Sequence, residues 1–189
     1  GFAFGYDGGP ICASNAQKRL VARQGKRADI KIVAEIGPNA EELKLAEQLL
    51  RNASADKVSV LIPSRPLLQS SGLKKLFPHL TMLALNEDEA RILLKVASTS
   101  KTILTIPVHT VFITLGKRGA LLKVGEKVYA AKVRPIAHPR YVGGAGDAAV
   151  AALIYALYLE RKTPRQALSF SMKIGRAVLS LPTPYWTKK

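Results

Sequence analysis

The chain has few of the sequence features that mark disulfide-rich, membrane-spanning and metal-binding proteins. It has a single cysteine, Cys12, so it cannot form an internal disulfide, and such a composition is typical of a reducing compartment. Its longest apolar run, residues 148–159, is shorter than the roughly 20 residues that a membrane-spanning helix needs, so we expect no membrane partner. Its three histidines follow no ligand spacing, so we assign no direct metal site. What remains is the composition of one globular domain.

Acidic residues are also scarce. The chain has 29 Lys and Arg against 13 Asp and Glu, which gives a net charge of +16. The excess lies in residues 1–28, 115–140 and 160–189, whereas residues 29–114 and 141–159 are nearly neutral. Basic segments can simply be solvated, but an excess this large favours a polyanionic partner, and RNA is the commonest one.

The chain divides into an arm, a domain and a tail. Residues 1–28 combine aromatics and arginines without periodicity and are interpreted as a basic N-terminal arm. Residues 29–182 alternate apolar strands with amphipathic helices, which predicts an α/β domain with a mainly parallel sheet. Gly125-Glu126 between two apolar runs predicts a hairpin, and Asn39 with Glu42 predicts a capping box. Residues 183–189 form a C-terminal tail.

The most informative stretch is Gly143-Gly144-Ala145-Gly146-Asp147, which leads into an apolar helix. Glycines before a helix let a ligand approach the backbone closely. The first helical amides lack intrahelical partners, and the helix dipole adds positive charge there. This stretch therefore predicts a phosphate site, with Asp147 placed to accept a proton from a hydroxyl.

Three motifs in order resemble those of the ribokinase-like (PfkB) carbohydrate and nucleoside kinases. Gly144 to Asp147 is similar to the family's G-A-G-D, Asn86 to Glu89 to its N-x-x-E, and Thr114 to Gly119 to its T-x-G-x-x-G. The resemblance implies a three-layer ribokinase-like α/β fold. One alternative concerns the arm, where Gly8-Gly9 and Asn15-Ala16 resemble the family's sugar-binding motif at a longer spacing.

The resemblance also implies roles for individual residues. Asp147 would be the catalytic base, and the amides of Gly144, Ala145 and Gly146 would form the anion hole for the transferred phosphate. Asn86 and Glu89 would position Mg²⁺ and its waters. The nucleotide would border the turn formed by Thr114, Gly116 and Gly119. Taken singly, each of these residues could equally serve only as a helix cap or a turn residue.

Two departures from the family pattern speak against activity. Tyr141, Val142 and Gly143 replace the polar segment that usually precedes G-A-G-D. The chain is also too short for the family's N-terminal strands, sugar-binding residues and lid, and lids exclude water from the reacting groups.

We therefore expect a ribokinase-like domain that has lost activity and serves as a structural subunit of an RNA–protein assembly. A ribosome, with rRNA and neighbouring proteins, is the favoured assembly, and a mitochondrial location is favoured over a cytoplasmic one. Such a subunit would need no cofactor. The alternative is an active sugar or nucleoside kinase that uses ATP and Mg²⁺. The residues expected to contact RNA phosphates are Lys18, Arg19, Arg23, Lys26, Arg27, Lys117, Arg118, Arg134 and Arg140.

Overall fold

The computed structural model describes residues 30–34, 36–51, 57–96, 102–136 and 143–180. Within these ranges the short extended segments are rich in Ile, Val, Leu and Phe, the residues that favour buried strands. The six strands are β1 (Ile30–Ala34), β2 (Val58–Ile62), β3 (Met82–Asn86), β4 (Thr110–Thr114), β5 (Ala120–Val124) and β6 (Lys127–Ala131).

The α-helices alternate with the parallel strands and then follow the hairpin. They are α1 (Ala40–Arg51), α2 (Arg65–Leu68), α3 (Gly72–Leu76), α4 (Glu87–Leu94), α5 (Ala145–Ile154) and α6 (Pro164–Val178). Short 3₁₀ turns lie at Phe77–His79, Thr102–Thr105 and Gly116–Arg118. In the described part of the chain, no helix is long and apolar enough to cross a membrane.

The strands form one sheet in the order β1-β2-β3-β4-β5-β6. Strands β1 to β4 are parallel, and β5 and β6 join antiparallel to β4 and to each other. The hairpin between β5 and β6 turns at Gly125, which has φ +57°, as the sequence predicts. Because β3 and β4 are parallel neighbours, their carboxyl ends meet at one edge of the sheet, where open α/β sheets bind ligands.

Helices cover both faces of the sheet, which confirms the three-layer α/β fold. Helices α1 to α4 pack on one face around Leu61, Leu83 and Ile113. Helices α5 and α6 pack on the other face around Val60, Met82 and Phe112. Since successive strand residues point to opposite faces, both faces must be apolar to support two layers.

Three local details differ from the sequence-based expectation. Helix α5 begins at Ala145 rather than at Asp147, and its last part widens into a π-helical turn at Tyr155–Leu159. Helix α2 was not predicted, because Arg65–Leu68 is too short for a periodic signal. Asn39 does cap α1 through the amide of Glu42 at 2.9 Å, but the Glu42 carboxylate accepts from the amide of Gly37.

Candidate functional site: a phosphate cradle at the strand ends

The candidate site starts where β3 and β4 end side by side. Asn86 and Thr114 are the last residues of these strands and are partners in the parallel register. The strands place both residues at the edge where α4 and the turn after β4 begin. This brings two of the three sequence motifs together.

Asn86 and Glu89 form a reciprocal cap at the start of α4. The Asn86 side-chain oxygen accepts from the amide of Glu89 at 2.9 Å, and the Asn86 amide donates to the Glu89 carboxylate at 2.7 Å. This is the capping-box arrangement, and it explains part of the N-x-x-E spacing without any ligand. It also holds the Glu89 carboxylate in one place at the sheet edge.

Glu89 and Asp147 interact through their charges. Burial is the main cause that raises the pKa of Glu89, and the negative charges of Asp147 and Asp88 raise it further. The hydrogen bond from the Asn86 amide lowers this pKa and so opposes the shift. The charge of Asp147 thus disfavours ionisation of Glu89, and a cation bound near both carboxylates would have the opposite effect.

Asp147 stands on the first turn of α5, directly after an open glycine turn. Gly144 has φ +79° and precedes the helix, and its carbonyl accepts from the amide of Ala148 at 2.9 Å. Among the described residues, a methyl group added at Gly143, Gly144 or Gly146 would meet no atom within 4 Å. Asp147 itself is exposed. The start of this helix therefore has free space beside amides that can bind an anion.

Helix α6 holds α5 in position from behind. The Ser171 hydroxyl, which is fully buried, donates to the carbonyl of Ala149 at 2.7 Å. A methyl group at Gly175 would lie only 3.0 Å from the carbonyl oxygen of Ala145, so the two helices are in close contact there. This packing fixes the direction in which the start of α5 points.

The turn after β4 contains the third motif and is packed tightly. Gly116 has φ +57° and Gly119 has φ +105°, and the Leu115 amide donates to the carbonyl of Gly119 at 2.8 Å. A methyl group at Gly119 would come within 1.9 Å of the carbonyl oxygen of Ala131 in β6. Gly119 is therefore required by the packing of the turn against β6, with or without a nucleotide.

Arg118 in this turn forms an ion pair with Glu87 on the first turn of α4. Glu87 also contacts Arg91 at 2.7 Å. The hydrogen bond from Arg118 is the main cause that holds the pKa of Glu87 below its usual value. Lys117 beside it is exposed. The pair ties the turn after β4 to α4.

The structure thus brings Asn86, Glu89, Thr114 and Asp147 to one region. Of the described basic candidates, Lys117 and Arg118 lie beside this region, in the turn that follows Thr114. Arg134 is exposed after β6, and its carbonyl accepts from the Arg176 guanidinium at 3.0 Å. The remaining sequence-based candidates lie outside the described residues: Lys18, Arg19, Arg23, Lys26, Arg27, Arg140, Tyr141, Val142 and the two arm motifs.

The side chains at this site suit Mg²⁺, which keeps part of its water shell, better than a cation whose ligands all come from the protein. In the described ranges, no group of three or more His, Cys, Asp or Glu could hold a metal ion. Glu89 and Asp147 supply carboxylate oxygens, and Mg²⁺ is commonly held by one or two carboxylates together with waters and substrate phosphates. The residues therefore fit a magnesium–nucleotide complex.

Comparison with known proteins agrees with this geometry. The chain resembles a nucleoside kinase from Burkholderia thailandensis, solved with inosine, at 19% identity and a TM-score of 0.67, covering 89% of this chain and 57% of that one. It resembles adenosine kinase from Schistosoma mansoni at 18% identity and a TM-score of 0.71, covering 89% of this chain and 55% of that one. It resembles adenosine kinase from Sinorhizobium meliloti at 13% identity and a TM-score of 0.73, covering 86% of this chain and 52% of that one.

The chain therefore spans between about half and three-fifths of the length of these structures. A search of curated proteins found no match. The model of the pfkB family of carbohydrate kinases matches residues 17–184, which is most of the chain. With the fold and the motif order, this match assigns the family: the chain is a member of the pfkB carbohydrate kinase family.

Proposed function

We propose that the sheet edge binds ATP with Mg²⁺ and transfers the terminal phosphoryl group to a hydroxyl of a sugar or nucleoside. The observation that carries this proposal is the position of Asp147. It is exposed at the start of α5, and its charge contributes to the raised pKa of the half-buried Glu89. A purely structural helix start needs neither the empty space at Gly146 nor a second carboxylate opposite it.

In this mechanism each residue has a distinct task. The amides of Ala145 and Gly146 bind the oxygens of the terminal phosphate, and the dipole of α5 stabilises the charge that spreads over them. Asp147 accepts the proton of the acceptor hydroxyl. At the same time the hydroxyl oxygen bonds to the terminal phosphorus, and the bond between that phosphorus and the oxygen of ADP breaks. Glu89, held by the hydrogen bond from the Asn86 amide, would orient waters around a bound Mg²⁺. Bound Mg²⁺ would neutralise the charge on the phosphates.

The acceptor class follows from the relatives. The B. thailandensis protein is a nucleoside kinase bound to inosine, and two other neighbours are adenosine kinases. We therefore propose an alcohol of a sugar or nucleoside as acceptor.

The test compares Asp147→Asn with Asp88→Asn. Asp88 is a matched control, because it is an exposed acid on the first turn of α4 and lies beside Glu89 as well. We expect both variants to bind Mg²⁺–ATP in calorimetry. Transfer of labelled phosphate to a panel of ribose, adenosine and inosine should fall by about 10²–10⁴-fold in Asp147→Asn alone.

Two outcomes would overturn the kinase proposal. One is the absence of ATP binding by the unaltered chain at millimolar nucleotide. The other is equal turnover in Asp147→Asn and in the unaltered chain.

A second candidate function is supported by the charge. The net charge of +16 is large for a small enzyme, and the described basic residues Lys117 and Arg134 are exposed. On this proposal the chain is a structural, RNA-associated subunit of a ribonucleoprotein such as a mitochondrial ribosome, and it needs no cofactor. Native purification distinguishes the two candidates. A subunit would travel with RNA and would be unaffected by Asp147→Asn, whereas a free small enzyme would not.

A further inference from the structure

One face of the sheet loses its cover toward the edge strand β1. On the central strand β3, residues 82–85 are all buried, so both faces of the sheet are covered there. On β1, Lys31 and Val33 point to the face that carries α1, and they are buried. Ile30 and Ile32 point to the other face and are only half-buried. The position at the edge therefore does not explain the difference, because both pairs lie on the same strand.

Strand β2 shows the same loss of cover on this face. Val58 and Ile62 are half-buried there, although Val60 between them is fully buried. Ala34 at the end of β1 is exposed. We call this surface the open face, and its side chains are all apolar and uncharged. It consists of Ile30, Ile32, Ala34, Val58 and Ile62.

The number of helices explains why the open face lies on β1 and β2. In the described part of the chain, two helices, α5 and α6, cover this side of the sheet. Helix α6 contacts β5 and β6, and α5 packs beside α6. Six strands about 4.8 Å apart span roughly 29 Å, whereas two helices about 10 Å wide cover roughly 20 Å, or about four strands. About two strands are left without a helix.

The N-terminal segment of the chain is attached at the open face. Residues 1–29 precede the described part of the chain and join it at Ile30, which belongs to the open face. The other stretches outside the described residues adjoin helices of the opposite face or the edge that carries the motifs. They are residues 52–56, 97–101, 137–142 and 181–189.

The N-terminal segment also has the reach and the composition that the open face requires. Ten extended residues span about 33 Å, which exceeds the width of two strands. A second copy of the chain would bring a net charge of +16 toward another +16, whereas an attached segment acts at a high effective concentration. The apolar residues that the segment offers are Ile11, Cys12, Ala13, Ala16, Leu20, Val21 and Ala22.

We propose that the open face is the docking surface of the chain's own N-terminal segment, residues 1–29. Removal of apolar surface from water drives the docking, and the absence of charge on the open face makes it unsuited to a phosphate backbone. The inference goes beyond both candidate functions and requires neither of them.

The experiment measures how well the segment is protected from trypsin in the full chain. Trypsin cleaves after lysine and arginine, and a synthetic peptide of residues 1–29 gives the cleavage rate of the unprotected sequence. We expect cleavage of the full chain within residues 18–27, followed by mass spectrometry, to be at least about tenfold slower, because the docked segment must first open. The sites followed are Lys18, Arg19, Arg23, Lys26 and Arg27.

Two variants of the open face test where the segment docks. Ile32→Gln puts a polar side chain in the open face and should raise the cleavage rate about tenfold. Its matched control is Val128→Gln, at an exposed apolar position on β6 at the other edge of the sheet. Ala34→Gln and Ala130→Gln form a second pair at exposed alanines of the same two strands, so the folding of the domain is not at stake. Thermal unfolding by circular dichroism verifies that all four variants fold.

Several results would overturn the proposal. If the full chain is cleaved as fast as the peptide, the segment does not dock. If the variants of the open face are cleaved no faster than their controls, the segment docks elsewhere. Protection that increases with protein concentration would assign the open face to a second copy. Protection that arises only after RNA is added would assign the segment to RNA binding.

Discussion

The two glycine-rich turns at the sheet edge look alike in sequence but differ in what surrounds them. In the turn after β4, a methyl group at Gly119 would clash with the carbonyl of Ala131 at 1.9 Å. In the turn before α5, a methyl group at Gly143, Gly144 or Gly146 would meet no atom of the described part of the chain within 4 Å. The first turn therefore uses glycine for packing, whereas the kinase proposal assigns the space beside the second turn to a phosphate.

The first turn of α4 is linked electrostatically to both of these turns, with opposite sign. Glu87 attracts Arg118 in the turn after β4 and forms an ion pair with it. Glu89 is repelled by Asp147 at the start of α5. Attraction links the turn after β4 to α4, whereas the repulsion between Glu89 and Asp147 raises the pKa of Glu89. On the kinase proposal, the first contact is structural and the second belongs to the phosphate site.

The largest effect should come from Gly119→Ala. The added methyl group clashes with β6, and alanine strongly disfavours φ +105°, so we expect a loss of roughly 3 kcal/mol in the free energy of unfolding. Urea denaturation measures it. Gly116→Ala is the matched control, because Gly116 also has positive φ but no nearby atom, and it should cost only about 1–2 kcal/mol. Equal losses in the two variants would show that packing against β6 is unimportant.

Gly146→Ala should separate stability from binding. Gly146 lies in the first turn of α5, where alanine is a better helix former, so the free energy of unfolding should stay equal or rise by up to ~1 kcal/mol. Its methyl group would occupy the space proposed for phosphate, so affinity for Mg²⁺–ATP in calorimetry should fall at least tenfold. Unchanged ATP affinity would contradict the proposed phosphate site at the start of α5.

The repulsion between Asp147 and Glu89 can be measured directly. Asp147→Asn should lower the pKa of Glu89, followed by NMR of its side-chain carboxyl carbon, and Asp88→Asn should lower it less. The pKa should remain above the usual value in both variants, because burial is the main cause of the shift. An unchanged Glu89 pKa in Asp147→Asn would show that the two carboxylates do not interact.

The same raised pKa has a consequence for stability. A folded-state pKa above the unfolded one means that the contribution of Glu89 is fully present below the unfolded pKa and is lost as pH rises through the folded pKa. Glu89→Gln keeps an oxygen for the cap and should remove this loss, so that its advantage in thermal unfolding is larger at neutral pH than at mildly acidic pH.

The smallest effect should come from Glu87→Gln. The pKa of Glu87 is held down mainly by Arg118, so its stabilising contribution is present above the unfolded pKa and is lost as pH falls through the folded pKa. Arg118 is exposed and solvent screens the pair, so we expect only a slight drop in the unfolding midpoint at neutral pH and none in acid. A larger drop in acid than at neutral pH would contradict the attraction.

Much of the fold and part of the site could be predicted from short-range patterns. All six strands were anticipated, because each is an apolar run bounded by turn or cap residues. The three motifs were recognised from residue types alone, and the structure does bring Asn86, Thr114 and Asp147 to one region. The meeting of residues 132–134 with residues 169–176 could not be predicted, since they are far apart in the chain and approach each other only when α6 packs beside β6.

The sequence by itself determined the layers and the positions of the turns, because periodicity and turn chemistry act over a few residues, and the resemblance of its three motifs indicated the family. Only the tertiary structure decided which glycines are required by packing and which charged groups, far apart in the sequence, interact with each other. The physical reason is that steric clashes and Coulomb interactions depend on separation in space, and the packing of helices on the sheet sets that separation.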